Sequence, residues 1–194
     1  MRRRDSLAFV VAAALSFATL VGVGCSERPV QPCVCEQSPA VDAPLMAFLS
    51  KARAAHHQAD LREQAGDAKG AVEALDKVVD STVALGERAE VREVQSDTLA
   101  RLSDLRGQQG DHDAAERDVR KGLELSPKGS YFEGHLYEMR GVNEERRAKA
   151  RAEAGDEPGA QAARRQAFQA FERAIEIQDG VIRKELTEDA GERR

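Results

Sequence analysis

The chain has 194 residues, of which 41% are hydrophobic, 32% charged and only 4% aromatic, and it contains no tryptophan. A β-sandwich or barrel needs many β-branched and aromatic residues, so this composition instead favours helices that pack closely through alanine. The formal net charge of −5 argues against a nucleic-acid partner, because phosphate binding requires a basic face.

The first 25 residues have the layout of an export signal. Arg2, Arg3 and Arg4 precede an apolar run over residues 7–23, and small residues then lead to Cys25. A charged start, an apolar centre and small residues at the end are typical of a secretory signal. We therefore predict a signal peptide over residues 1–24. A retained N-terminal membrane anchor is the alternative, because the apolar run is just long enough to span a bilayer.

The end of this segment adds a family resemblance. Gly22-Val23-Gly24-Cys25 resembles the lipobox of bacterial lipoproteins, although that family has leucine where this chain has Gly22. The resemblance implies that Cys25 is acylated, for example with palmitate, and becomes the new N-terminus. Several acyl chains on one residue anchor a protein firmly. In a bacterium with two membranes, Ser26 implies sorting to the outer membrane, with the chain facing the periplasm.

Residues 25–44 are predicted to form a tether. Four of the six prolines lie between Ser26 and Pro44, a composition typical of extended linkers. Cys33 and Cys35 lie in this segment, only one residue apart, and cannot easily bridge each other. A disulfide to another chain or to a partner, free thiols, and redox or metal chemistry remain open alternatives for these two cysteines.

The rest of the chain is helical in pattern and carries one recurring pair of residues. Gly66-Asp67, Gly110-Asp111 and Gly155-Asp156 are spaced by 44 and 45 residues. Glycine suits the residue that follows a helix, and aspartate suits the N-cap of the next helix. A period of this length indicates stacked helical hairpins. We therefore predict three antiparallel hairpins over residues 45–186.

The second of these units carries the clearest pattern. Two leucines and an arginine precede its turn, small and apolar residues follow the turn, and a proline closes the unit. These residues are Leu99, Leu102, Arg106, Ala115, Val119, Gly122 and Pro127. This arrangement resembles the tetratricopeptide repeat, with arginine in place of the usual tyrosine. The resemblance implies an all-α fold of about three hairpins stacked as a short solenoid. A generic helical bundle is the alternative.

The third unit is predicted to be longer than the second. Seven extra residues fall on each side of its turn, which corresponds to two added helical turns in each helix. We expect Phe168, Phe171, Ile175 and Ile182 along its inner face. Because most aromatic residues outside the leader lie in this hairpin, we expect it to be the best packed. The polar residues 187–194 are predicted to form a frayed tail.

The sequence carries no motif of a known catalytic site, and we predict that the chain is not an enzyme and has no cofactor. His56 and Asp60 lie one helical turn apart and could share a metal ion. Two ligands on one helix make only half of a metal site, so a solvated helix face is the simpler interpretation.

A binding role fits the repeat better. In the tetratricopeptide family the first helix of each pair lines a groove. The resemblance places acidic residues there, opposed by Arg53 and Arg146: they are Asp60, Glu63, Asp97, Asp104, Glu138 and Glu145. An acidic excess predicts a partner with a basic segment. The alternative is that these carboxylates are ordinary solvated groups.

These observations predict a membrane-anchored envelope lipoprotein that acts as a protein–protein interaction scaffold, with an unknown envelope protein as its partner. The alternative is a structural envelope protein that self-associates through the long last hairpin, with Cys33 or Cys35 linking the copies. Homo-oligomerisation therefore remains open.

Overall fold

The computed structural model describes residues 42–81, 85 and 88–192, with side chains up to residue 187. The predicted signal peptide, the predicted lipid attachment at Cys25, the cysteines Cys33 and Cys35, and the predicted tether before residue 42 lie outside the described residues.

Six helices account for most of the described chain. They are α1 (Ala43–Gln64), α2 (Ala68–Asp80), α3 (Ala89–Gln108), α4 (His112–Leu125), α5 (Tyr131–Glu153) and α6 (Glu157–Glu192). Consecutive helices pair as hairpin 1 (α1 and α2), hairpin 2 (α3 and α4) and hairpin 3 (α5 and α6). The predicted all-α stack of three tetratricopeptide-like hairpins is confirmed. Within the described residues, no helix has the length and apolarity needed to cross a membrane.

Each hairpin packs on the next through the next hairpin's first helix. Helix α3 contacts both α1 and α2, and α5 contacts both α3 and α4. Helix α6 contacts α5 and no other helix of the described chain. The groove between α1 and α2 is therefore filled by α3, and the groove between α3 and α4 is filled by α5. The stack ends with the pair α5 and α6.

The three predicted turns form as the sequence indicates. Gly66, Gly110 and Gly155 have φ angles of 77°, 81° and 77°, a left-handed conformation that glycine adopts without steric cost. Each following aspartate caps the next helix by accepting a backbone N–H. The pairs are Asp67 with Gly70 at 2.9 Å, Asp111 with Ala114 at 3.0 Å, and Asp156 with Gly159 at 2.9 Å.

Hairpins 2 and 3 meet at glycines that leave no room for a side chain. A Cβ added to Gly107 of α3 would lie 1.9 Å from Oδ1 of Asn143 on α5. A Cβ added to Gly122 of α4 would lie 2.5 Å from Cδ2 of Leu136, also on α5. The helix backbones therefore approach closely, and glycine is required where they do.

Arg106 connects three helices at the position where the repeat usually has tyrosine. Its guanidinium donates two hydrogen bonds of 2.9 Å to Asp76 of α2 and another to Asp118 of α4. Burial raises the pKa of Asp118, and the hydrogen bond from Arg106 opposes that rise. The arginine thus keeps a largely buried carboxylate paired between hairpins 1 and 2.

Two clusters of buried apolar residues lie in hairpins 1 and 2. One cluster joins Ala59, Ala71, Ala74, Leu75, Val79, Leu99, Leu102 and Leu105, and a second joins Phe48, Ala52, Val78 and Val91. Of these residues only Phe48 is aromatic. Helices α5 and α6 make the most extensive contact of any two described helices, as expected for hairpin 3. Aromatic residues do not account for that packing, because the aromatic side chains of hairpin 3 are at best half-buried.

The prediction of which residues form the inner face of α6 is wrong. Phe168, Ile175 and Ile182 are 64%, 62% and 56% exposed, and Phe171 is half-buried against Gly141. The side chains that face α5 are instead small ones with one isoleucine: Ala160, Ala163, Ala167, Ala170, Ala174 and Ile177. Alanine lets the two helix axes approach more closely than phenylalanine would.

Hairpin 3 is elongated as predicted, but not equally in both helices. Helix α6 has 36 residues, and α5 has 23. The side chain of Gln178 donates to the carbonyl oxygen of Tyr131, the first residue of α5, at 3.3 Å. The 14 residues after Gln178 therefore continue past the start of α5. Residues 187–192, predicted as part of a frayed tail, belong to this helix.

The close approach at Gly122 makes a testable prediction. Gly122→Ala should lower the free energy of unfolding by about 1–3 kcal/mol, because the added methyl group overpacks the contact with Leu136. The matched control is Gly180→Ala, since a Cβ at this helical glycine meets nothing within 4 Å. Urea denaturation of the two variants tests the prediction. Equal stability of Gly122→Ala and the control would contradict it.

Candidate functional site

The predicted carboxylates lie on the first helices of the three hairpins, and three of them meet at one arginine. Arg101 of α3 donates to Asp60 at 3.4 Å and to Asp104 at 2.8 Å, and it also donates to Glu63. Asp60 and Glu63 belong to α1, so the arginine holds hairpin 2 against hairpin 1. We call Asp60, Glu63, Arg101, Asp104 and Arg146 the charged face.

The same ion pair occurs again between hairpins 2 and 3. Arg146 of α5 donates to Oδ1 of Asp104 on α3 at 2.8 Å. Arg101 and Arg146 each stand nine residues before the glycine of their own turn, and Asp60 and Asp104 each stand six residues before theirs. The repeat therefore encodes one arginine–aspartate contact that is used twice along the stack.

These contacts correct the predicted acidic excess. Counting only Arg53 and Arg146 as basic omitted Arg101, which neutralises part of the surface. The missed signal was the 45-residue spacing that places Arg101 and Arg146 at the same repeat position. The charged face is thus largely a structural contact, with its carboxylates turned toward arginines of the same chain.

The other predicted residues do not join this network. Glu138 lies 3.3 Å from Nδ1 of His135, and Glu145 lies in a groove between α5 and α6. Asp97 is half-buried on α3, where its charge acts on His56. Arg53 is exposed on α1.

His56 connects α1 to α3. Its Nε2 lies 3.0 Å from Oγ1 of Thr98, whose hydroxyl donates to the carbonyl oxygen of Val94 at 2.7 Å. The hydroxyl oxygen is therefore the acceptor, and the His56 tautomer is assigned as Nε2–H from this geometry. Burial lowers the pKa of His56, although Asp97 and Asp60 raise it. No group of three or more metal ligands occurs in the described residues.

A polar cleft lies between α5 and its neighbours α4 and α6. Its volume is about 480 Å³, and its lining includes Glu116, Tyr137, Glu144 and Arg147. Oε2 of Glu144 and Nε of Arg147 are buried without a hydrogen-bond partner, and burial raises the pKa of Glu144. The two groups face each other as an ion pair, with Nε of Arg147 3.5 Å from Oε1 of Glu144.

Hairpin 3 carries two further surface features. The α5–α6 groove has a volume of about 360 Å³ and is lined by Glu145, Ala148, Lys149, Ala152, Glu153 and Arg164. The apolar row consists of the exposed residues Phe168, Ile175, Ile182 and Leu186 of α6. Exposed apolar residues in a continuous row are typical of a surface that contacts another protein.

The comparison with protein families supports the repeat. A model of the tetratricopeptide repeat matches residues 96–128. The matched stretch runs from the middle of α3 to just beyond α4, so it coincides with the hairpin whose sequence pattern is clearest. No curated protein and no solved structure matches the chain. The chain therefore contains tetratricopeptide-like repeats, which form a fold used for contacts between proteins.

The burial of His56, which lowers its pKa, predicts a pH dependence. The folded state favours neutral His56, whereas the unfolded chain takes up a proton as the pH falls. Stability should therefore fall between about pH 7.5 and about pH 5, and His56→Gln should reduce that loss. Urea denaturation at each pH measures the effect.

The matched control is His57→Gln, the exposed neighbour on the same helix. The buried acids Asp118 and Glu144 act in the opposite direction, because their raised pKa values favour protonation in the folded state. Both are present in every variant, so the difference between wild type and His56→Gln isolates the histidine. An unchanged pH profile in His56→Gln would contradict the prediction.

Proposed function

We propose that this chain is a lipid-anchored scaffold of the bacterial cell envelope that binds another protein through its helical repeats. The observation that carries the proposal is the exposed apolar row on α6, at the end of a stack of tetratricopeptide-like hairpins. Burying each of its large side chains against a partner would gain about 1.5–3 kcal/mol.

The proposed anchor rests on the amino-terminal sequence. Three arginines, an apolar run and small residues before Cys25 follow the order of a bacterial lipoprotein signal. The proline-containing segment after Cys25 supplies a spacer between the lipid and the first helix. Ser26 favours the outer membrane in a bacterium with two membranes, where the repeats would face the periplasm.

Fatty-acid labelling tests the anchor. In cells grown with an alkyne fatty acid, the wild-type chain should be labelled, and Cys25→Ser should lose the label and retain the leader. The matched controls are Cys33→Ser and Cys35→Ser, which remove cysteines from the same segment and should keep the label. Labelling of Cys25→Ser at the wild-type level would contradict the proposed anchor.

Crosslinking in intact cells tests the scaffold. A photoreactive amino acid at Ile182 in the apolar row should form a covalent adduct with another protein, because a bound partner would cover that row. Asp97 on α3 provides a second position on the first-helix side, and the exposed Lys69 on α2 serves as the background control. Mass spectrometry identifies the adducts. If neither Ile182 nor Asp97 forms an adduct above the background, the scaffold function is wrong.

A further inference from the structure

We propose that the α5–α6 groove binds an amphipathic helix of another protein, with an aspartate or glutamate of that helix facing Lys149. This inference rests on the proposed scaffold function and specifies the chemistry of the partner. The bound helix would lie on hairpin 3 in the same way that α3 lies on hairpin 1 and α5 lies on hairpin 2.

The two filled grooves show what such a site requires. Helix α3 packs between α1 and α2, and α5 packs between α3 and α4. In both grooves the residue six positions before the turn glycine is an aspartate, and it faces an arginine of the incoming helix. The charge at this position is therefore opposite to the charge on the helix that fills the groove.

Hairpin 3 repeats the pattern of these grooves, and no helix of the described part of the chain occupies its groove. Ala148 corresponds to Ala59 and Ser103 in the other hairpins, and all three are buried. By helical periodicity, the groove side of α5 is opposite to Leu136 and Asn143, which face hairpin 2. No described helix covers the groove, since α6 contacts only α5.

The apolar row supplies the other half of the site. Phe168 stands 13 residues after its turn glycine, as Val79 does in hairpin 1. Val79 is buried in a cluster with Leu99, Leu102 and Leu105 of α3. Phe168 occupies the equivalent place on α6 and lacks the incoming leucines, so the occupant needs apolar residues at the same helical spacing.

The charge in the groove is reversed at the decisive position. Lys149 stands where hairpins 1 and 2 have Asp60 and Asp104, and Arg164 stands where they have Leu75 and Val119. Lys149 lies 4.0 Å from Glu153 and Arg164 lies 3.0 Å from Glu157, in pairs whose side chains are mostly exposed. Such pairs are weak, so both cations can turn to a carboxylate of the occupant.

A second copy of this chain fits the groove poorly. The residue of α1 that corresponds to Arg101 and Arg146 is His57, so a second α1 brings no carboxylate to Lys149. Glu145 and Glu153 also line the groove, so the reversal is confined to the position of Lys149. It favours a different protein whose helix carries a single carboxylate at that point.

A pair of peptides tests the charge preference. Both carry the sequence of α3, Ala89–Gln108, whose leucines already pack against Val79 in hairpin 1, and both carry the same hydrocarbon staple on the face opposite the leucines. One keeps Arg101, and the other has Arg101→Glu. Fluorescence anisotropy with the full chain should show that the glutamate peptide binds about three- to tenfold more tightly.

Variants of the chain then locate the contact. Lys149→Asp gives the groove the charge of the filled grooves and should reverse the preference, so that the arginine peptide binds more tightly. Phe168→Glu should abolish binding of both peptides. The matched control is Leu61→Glu, which alters a residue of α1 that is 67% exposed and lies outside the groove, and it should leave binding unchanged.

Four results would overturn the proposal. In the first, neither stapled peptide binds, and in the second, the preference between the peptides does not depend on residue 149. In the third, Leu61→Glu loses binding while Phe168→Glu retains it. In the fourth, the chain self-associates and Phe168→Glu removes the self-association. The last result would identify a second copy as the occupant. Adducts from Ile182 in cells together with failure of the peptides would refute only this inference, whereas the absence of adducts would refute the scaffold.

Discussion

Close approach of neighbouring helix backbones is the constraint on which the stack depends. It is enforced at glycines that touch a side chain of the next helix: Gly107 touches Asn143, Gly122 touches Leu136, and Gly141 touches the ring of Phe171. Between α5 and α6, alanines fill most of the interface and Phe171 lies in it against Gly141, whereas Phe168 and Ile175 are left outside it. The modest apolar core and the exposed apolar row on α6 are two results of this one constraint.

The same constraint explains the prominence of arginine between the helices. Where the helices are close, an arginine can reach a carboxylate of the next helix while its methylene groups cover apolar surface. Arg140, for example, donates two hydrogen bonds to Glu116 across the contact of α5 with α4, at 3.2 and 2.9 Å. A slip of one helical turn would separate such pairs and leave Asp118 buried without a cation, so they specify register.

The sequence predicts the hairpins well because their turns are local. Glycine followed by aspartate determines both the end of one helix and the cap of the next, whatever the helices then pack against. The sequence does not predict which face of α6 is buried. Helix α6 has one row of alanines and one row of large apolar residues, and both rows have helical spacing. The choice between them is visible only in the folded chain, where the alanine row packs on α5. Arg101 gives no local sign of the partner it meets, and only its 45-residue spacing from Arg146 indicates a shared role.

The unequal length of the helices in hairpin 3 has a consequence for the order of the chain. Beyond Gln178 helix α6 continues past the start of α5, so each added turn there is supported mainly by contacts within the helix itself. Gly180 stands at that boundary and weakens propagation by about 1 kcal/mol relative to alanine. The distal turns, with Ile182 and Leu186, therefore exchange between helix and coil more readily than the turns on α5. A partner that orders these turns must offset their loss of conformational entropy. The helix–coil equilibrium of the distal turns therefore contributes to the free energy of binding.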